Sequence, residues 1–269
     1  MIRSLRLLIL LLPLLTACYE DRAGCLDPDA ANYDLVADED CPACCAYPAL
    51  SVRLTTVWGE DPFVAGDTYT DGAGNDFQVV AFRYYLGDLR LLSAAADLPE
   101  PQRPLVLTDR SGAQVNLNGN YLLASTAPST TGVGAFRLGQ TPVSGFAGTY
   151  GLPERYRNIE PASAPPGDAL RTQPRRLNFL DDRGYAQARL EYTTETGGDT
   201  LSVSAYGSEP FAFTFAEAVT PSRGADLQLD LEADLEVLLG GLDLAADSTI
   251  VADGIRGRID FLRPVAISF

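Results

Sequence analysis

Leu227-Gln228-Leu229-Asp230-Leu231-Glu232 places an apolar side chain at every second position. Successive side chains of an extended strand point to opposite faces, so this stretch turns leucines to one side and polar groups to the other. The same alternation recurs outward along the chain. Val52 and Leu54 alternate with Ser51, Arg53 and Thr55. Ala186, Ala188, Leu190 and Tyr192 alternate with Gln187, Arg189 and Glu191. Leu201, Val203 and Ala205 alternate with serines, and Phe211, Phe213 and Phe215 with small residues. Residues 77–92 form a long run of strand formers that includes Tyr84-Tyr85-Leu86. Strands with one wet face belong to antiparallel sheets, and many of them separated by Gly, Pro, Asn and Asp argue for a sandwich. The fold class expected is therefore mostly β: an antiparallel β-sandwich with one or two short helices. The helices are expected at residues 233–240 and 253–262. Turns are expected at residues 71–75 and at Thr196-Gly197-Gly198-Asp199, the latter as a hairpin connection.

The first 17 residues read as a targeting segment. Arg3 and Arg6 precede an apolar run from Leu7 to Leu15, and Leu15-Thr16-Ala17-Cys18 has the pattern of a lipobox. The run is shorter than the roughly 20 apolar residues of a spanning helix. Cleavage before Cys18 and lipidation of its thiol are expected; a secretory signal cut elsewhere is the plainer alternative. Removing Arg3 and Arg6 lowers the net charge of −16 by two, to −18. Nucleic acid and anionic lipid should repel such a chain, so the lipid on Cys18 would supply the membrane attachment. Tyr19 is not the Asp associated with inner-membrane retention, which points to the outer membrane, at its periplasmic face or, through Glu20 and Asp21, at the cell surface.

Three regions are expected: a signal peptide over 1–17, a lipid-anchored, acidic, Cys-rich leader over 18–48, and a β-sandwich domain over 49–269. The Pro- and Gly-rich stretch 160–174 reads as a long loop inside that domain. With Cys18 lipidated, Cys25, Cys41, Cys44 and Cys45 remain, an even number that reads as two disulfides in an oxidising compartment. A vicinal Cys44–Cys45 bridge would be strained, so Cys25 is expected to pair into the 41–45 cluster. A four-thiolate metal site is the alternative, although the spacing does not give two Cys-x2-Cys knuckles.

The chain has no His, one Met and one Trp. That excludes Ser-His-Asp and Cys-His catalysis and removes the usual zinc and copper ligand. No phosphate-binding loop or dinucleotide fingerprint is present. Asp181-Asp182 offers a carboxylate pair for glycan hydrolysis, with a solvated turn as the plainer reading. Asp67, Asp71, Asn75 and Asp76 offer oxygen ligands near a turn without the spacing of an EF-hand loop. Trp58, Phe63, Tyr69, Phe82, Tyr84 and Tyr85 are expected to fill the core or support a turn, with a ligand surface as the alternative.

Two segments carry a resemblance. Cys25-Leu26-Asp27-Pro28-Asp29-Ala30-Ala31-Asn32-Tyr33, followed by Cys41-Pro42-Ala43-Cys44-Cys45-Ala46-Tyr47-Pro48, resembles the Cys-rich leader of some bacterial surface lipoproteins. Phe77-Gln78-Val79-Val80-Ala81-Phe82-Arg83-Tyr84-Tyr85-Leu86-Gly87-Asp88-Leu89-Arg90-Leu91 is similar to part of the copper-binding MbnP-like domain family. Arg183-Gly184-Tyr185, Leu190-Glu191 and Ala205-Tyr206-Gly207 resemble a second stretch of that family. The resemblance implies a β-rich, extracytoplasmic, non-enzymatic copper-binding protein, with an oxidised Trp and His side chains at the metal. It also implies a haem protein or another surface component as partner. This sequence departs from the pattern at Thr55-Thr56-Val57 and at Tyr206, where the family has His, and at Gly87, where it has Ser. Trp58 and Tyr206 are what would remain of a copper site. A surface module that binds a protein or glycan is the rival reading.

Overall fold

The computed structural model describes residues 20–171, 179–180, 183–194 and 198–269. The signal segment, Cys18 and the Asp181-Asp182 pair lie outside these residues. The strands of the two large sheets are β1 (Ala49–Trp58), β2 (Asp76–Leu92), β3 (Leu122–Ser125), β4 (Ser129–Ala135), β5 (Val143–Tyr150), β6 (Ala188–Thr193), β7 (Leu201–Ala205), β8 (Glu209–Val219), β9 (Leu227–Asp234) and β10 (Leu262–Ser268).

One sheet has five strands in the order β4-β1-β9-β10, with Asp61–Pro62 folded back on the end of β1. The other has seven, in the order β7-β6-β2-β5-β8, with β3 and Thr68–Thr70 also paired to β2. The mostly β, antiparallel reading holds, with one qualification: β1 and β9 pair in parallel, from Leu50 opposite Leu227 to Val57 opposite Asp234. A parallel pair needs a long crossover between its strands. Here most of the domain supplies it, since β1 opens the domain and β9 comes near its end.

Alternation becomes burial as expected. Leu50, Val52 and Leu54 of β1 and Leu227, Leu229 and Leu231 of β9 are all buried in one core with Phe82, Tyr84, Phe146 and Tyr150 of the opposite sheet. Phe261, which leads into β10, ties the layers together by edge contacts with the Phe82, Tyr84 and Tyr150 rings. Each such aromatic pair adds about 1 kcal/mol to what its buried area contributes.

A second core covers the outer face of the seven-stranded sheet. Tyr85 of β2 is buried there with Leu107 of the hairpin Pro104–Thr108/Gln114–Asn118, Tyr121 ahead of β3, Tyr156 and Leu170 from residues 151–171, and Tyr185 ahead of β6. Asp168 is its polar centre. Its carboxylate is 2 % exposed and accepts from Arg103 Nη2 at 2.5 Å, Tyr121 Oη at 2.8 Å and Leu170 N at 2.9 Å. The stretch expected as a loop after Glu160 packs into this layer through Ala164 and Leu170.

The helices are α1 (Leu235–Leu239) and α2 (Ser248–Arg256). The first begins where Asp234 caps it by accepting from the N–H of Glu236 and Val237. The second starts earlier than the expected 253–262. Asp247 accepts from Thr249 N and fixes the start, as N-terminal capping by Asp does generally. Phe261 and Leu262 are then spent on the core.

In the leader, Cys25 and Cys45 form a disulfide, which places Cys25 in the cluster expected for it. The second expected disulfide is absent: Cys41 and Cys44 are free thiols. Pro42–Cys44 is one turn of 3-10 helix, and it aims the Cys44 thiol at the Cys41 carbonyl, 2.9 Å away.

Candidate functional site

Trp58 is the last residue of β1 and sits half-buried at a corner of the sandwich. Its ring stacks on Tyr69 with centroids 4.3 Å apart, and Tyr69 stacks in turn on Phe63 at 5.4 Å. Phe77 closes the group at 5.8 Å from Trp58. The Tyr69 hydroxyl is occupied by the backbone of Val64, accepting from its N–H and donating to its carbonyl. The turn after Trp58 is anchored by Gly59 N donating to Asp234 Oδ1 at 3.0 Å. The rings around Trp58 are thus phenyl groups and one phenol whose hydroxyl is already engaged, and they bring no soft or imidazole ligand to it.

Tyr206 follows β7 at the other end of the seven-stranded sheet. The register Ala205–Ala188–Tyr84 runs across three strands, and Tyr206 lies just beyond it. Phe77, beside Trp58, lies seven residues earlier on β2 than Tyr84. At about 3.3 Å per residue this puts roughly 23 Å of strand between the two candidates. The structure does not bring Trp58 and Tyr206 together.

Tyr206 stands between two clefts of about 530 and 590 Å³. The Arg183 guanidinium lies over its ring, 4.4 Å from the centroid, in cation–π geometry. Arg157, Tyr156 and Tyr185 line one cleft; Arg189, Arg256 and Ser204 line the other. Burial raises the hydroxyl pKa of Tyr156 and Tyr185, so both phenols are neutral donors at physiological pH. Gln187, fully buried, supports this end by donating from Nε2 to Tyr150 O at 2.8 Å. Much of this set is already engaged: Glu154 and Asp253 in the same clefts pair with Arg157 and Arg256, and the Tyr156 hydroxyl donates to Asn118 O.

Among the described residues no group of three or more His, Cys, Asp and Glu side chains is placed to hold a metal ion. The carboxylate set near residue 71 serves the fold instead. Asp71 accepts from Ala73 N, Asn75 N, Asn75 Nδ2 and Leu244 N at 2.8–3.0 Å. It pins the turn after Thr68–Thr70 to the loop that leads into α2. Of the other aromatics, Phe82 and Tyr84 fill the main core and Tyr85 the second one.

These features define a two-sheet, mostly antiparallel β domain with clefts at its surface and a disulfide-bonded leader. The sequence model of the MbnP family matches residues 47–253, and the chain belongs to that family. Among solved structures it is similar to MbnP from Methylosinus trichosporium, with 15 % identity and a TM-score of 0.47, over 74 % of this chain and 80 % of that one. No curated protein matches the chain.

Proposed function

We propose that this chain is a lipid-anchored, extracytoplasmic binding or accessory protein of the MbnP family that works without catalysis and without the copper chemistry linked to the family. The carrying observation is spatial: Trp58 lies among Tyr69, Phe63 and Phe77, while Tyr206 lies roughly 23 Å of strand away. The donor set does not fit copper either. The chain contains no His, and its one Met is residue 1. The extracytoplasmic reading is supported by the Cys25–Cys45 disulfide, since such bonds persist in oxidising compartments. Attachment to the outer membrane through Cys18 is supported by the lipobox pattern.

Titrating the full-length protein with Cu(I) and Cu(II), beside its Trp58→Phe variant, tests the metal part. The expected result is no binding that depends on Trp58; tight Trp58-dependent binding would restore the copper reading. Labelling cells with a palmitate analogue tests the anchor, with the label expected on the wild type and missing from Cys18→Ala. A second reading, a surface module for a protein or glycan, rests on the half-buried Trp58–Tyr69–Phe63 stack. Its test is retention of the protein on a glycan array, lost in Trp58→Ala.

A further inference from the structure

Four residues stand directly opposite one another across four neighbouring strands. Ser204 of β7 faces Arg189 of β6, Arg189 faces Arg83 of β2, and Arg83 faces Ser125 of β3. Phe82, Tyr84, Ala188 and Leu190 point into the main core, so this row lies on the outer face of the sheet. Two arginines directly opposed in a sheet repel each other. Arg189 has an answer to this charge: its Nε donates to Glu191 Oε1 at 3.0 Å. Arg83 has none. Its Nη1 is buried and has no hydrogen-bond partner among the described residues, an arrangement that is destabilising for a cationic donor.

Arg83 opens onto a cavity of about 410 Å³, lined also by Arg103, Ser125, Thr131, Gly132 and Asp168. This volume lies in the range of small-molecule sites. The carboxylate in the wall, Asp168, is already engaged by Arg103, Tyr121 and Leu170 N. Two guanidinium groups against one carboxylate leave the lining positive, in a chain whose net charge is −16. Two exposed glycines line its mouth, where a Cβ built on Gly132 or Gly167 meets no atom within 4 Å.

We propose that this cavity binds a small organic anion through an oxyanion group, carboxylate or phosphate, that accepts from Arg83 Nη1. Arg103, held in place by Asp168, supplies the second positive charge. Ser125 and Thr131 supply hydroxyl donors, and Leu123 and Ala169 of the wall face the rest of the ligand. The inference goes beyond the function proposed above and uses neither the anchor nor the metal question.

The test is thermal-shift and calorimetric titration of the full-length protein with acetate, succinate, inorganic phosphate and glycerol phosphate. The carboxylate and phosphate arms identify which oxyanion the site prefers. Saturable stabilisation by at least one of them is expected, weakened about tenfold or more in Arg83→Met. Without anion, Arg83→Met should melt no lower than wild type, because a buried unpaired charge has been removed. Gly132→Leu keeps Arg83 and fills the cavity, and it too should weaken binding while the protein stays folded. No saturable effect from any of the four anions would overturn the proposal, as would binding that both variants retain unchanged.

Discussion

Single residues decide how tightly the two layers and their loops are held. Asp71 is 6 % exposed. Burial by itself would raise its carboxyl pKa, but the hydrogen bonds from Asn75, Leu244 and Ala73 outweigh burial and hold it below the usual value. A carboxylate with a lowered folded-state pKa contributes its full stability above the unfolded value, about 4, and loses it as the pH falls through the lowered one. Asp71→Ala leaves four N–H donors without their acceptor, so a loss of about 3 kcal/mol in chemical denaturation at neutral pH is expected. That difference should shrink as the pH falls below about 4, where the unfolded carboxyl protonates, and through the lowered folded-state value. Equal stability of the two proteins at pH 7 would contradict this role. Gly151 is the backbone counterpart. Its φ is +101°, and a Cβ there would lie 2.5 Å from Gly207 O and 3.0 Å from Gln187 Cγ. Gly151→Ala should therefore destabilise by about 2 kcal/mol or more and disturb the Tyr206 end of the sheet.

At the scale of elements, the strands were legible because burial on one face forces a period of two, and the interior strands β1, β6 and β9 obey it. The second core was not legible. Tyr121, Tyr156 and Leu170 come from segments rich in Pro and Gly without periodicity, and only the fold brings them onto Tyr85. The start of α2 was missed because its signal is a capping Asp247 ahead of Ser248 and Thr249, not a run of apolar residues. The site was legible in part. Trp58 and Tyr206 stood out as rare or displaced residue types, but their separation depends on the register of β2 with β6. Arg83 carries a signal too: it is the one charge in the otherwise apolar run from Val79 to Leu86. The leader gives this scale its own prediction. Cys41 and Cys44 should react with a maleimide in the native protein, while Cys25 and Cys45 should not until the chain is reduced. The hydrogen bond with Cys41, aided by some desolvation, raises the Cys44 pKa, so its labelling should speed up markedly as the pH rises above neutrality. Reduction opens a bond spanning 20 residues, which in the chain-entropy account is worth about 3 kcal/mol locally. The far-UV signal of the sheets should survive it, since neither core contains a residue of the leader.

For the whole molecule, the question is what holds the leader on the domain that an anchor at Cys18 would have to carry. Ion pairs span the contact. Arg137, between β4 and β5, meets Asp27 at 3.1 Å and Asp29 at 3.4 Å, and Arg223, between β8 and β9, meets Asp29 at 3.5 Å. Gly224 fits because a Cβ there would come within 2.6 Å of Ala30 O. The Asp29 N–H, the Tyr47 hydroxyl and the Arg137 guanidinium together hold the Asp27 carboxyl below its usual range. The first two lie within the leader itself; only the Arg137 contribution favours docking at neutral pH, and it fades as the pH falls below about 4. Exposed ion pairs are also screened by salt. Limited proteolysis at neutral pH should then cut within residues 20–48 faster in high salt than in low salt. The double variant Arg137→Ala/Arg223→Ala should show the fast rate in both. Its melting temperature should stay within about 2 °C of wild type, because such surface pairs contribute little to the sheets. A cleavage rate indifferent to salt and to both substitutions would mean that packing and backbone contacts such as Phe136 N to Pro48 O dock the leader without help from charge.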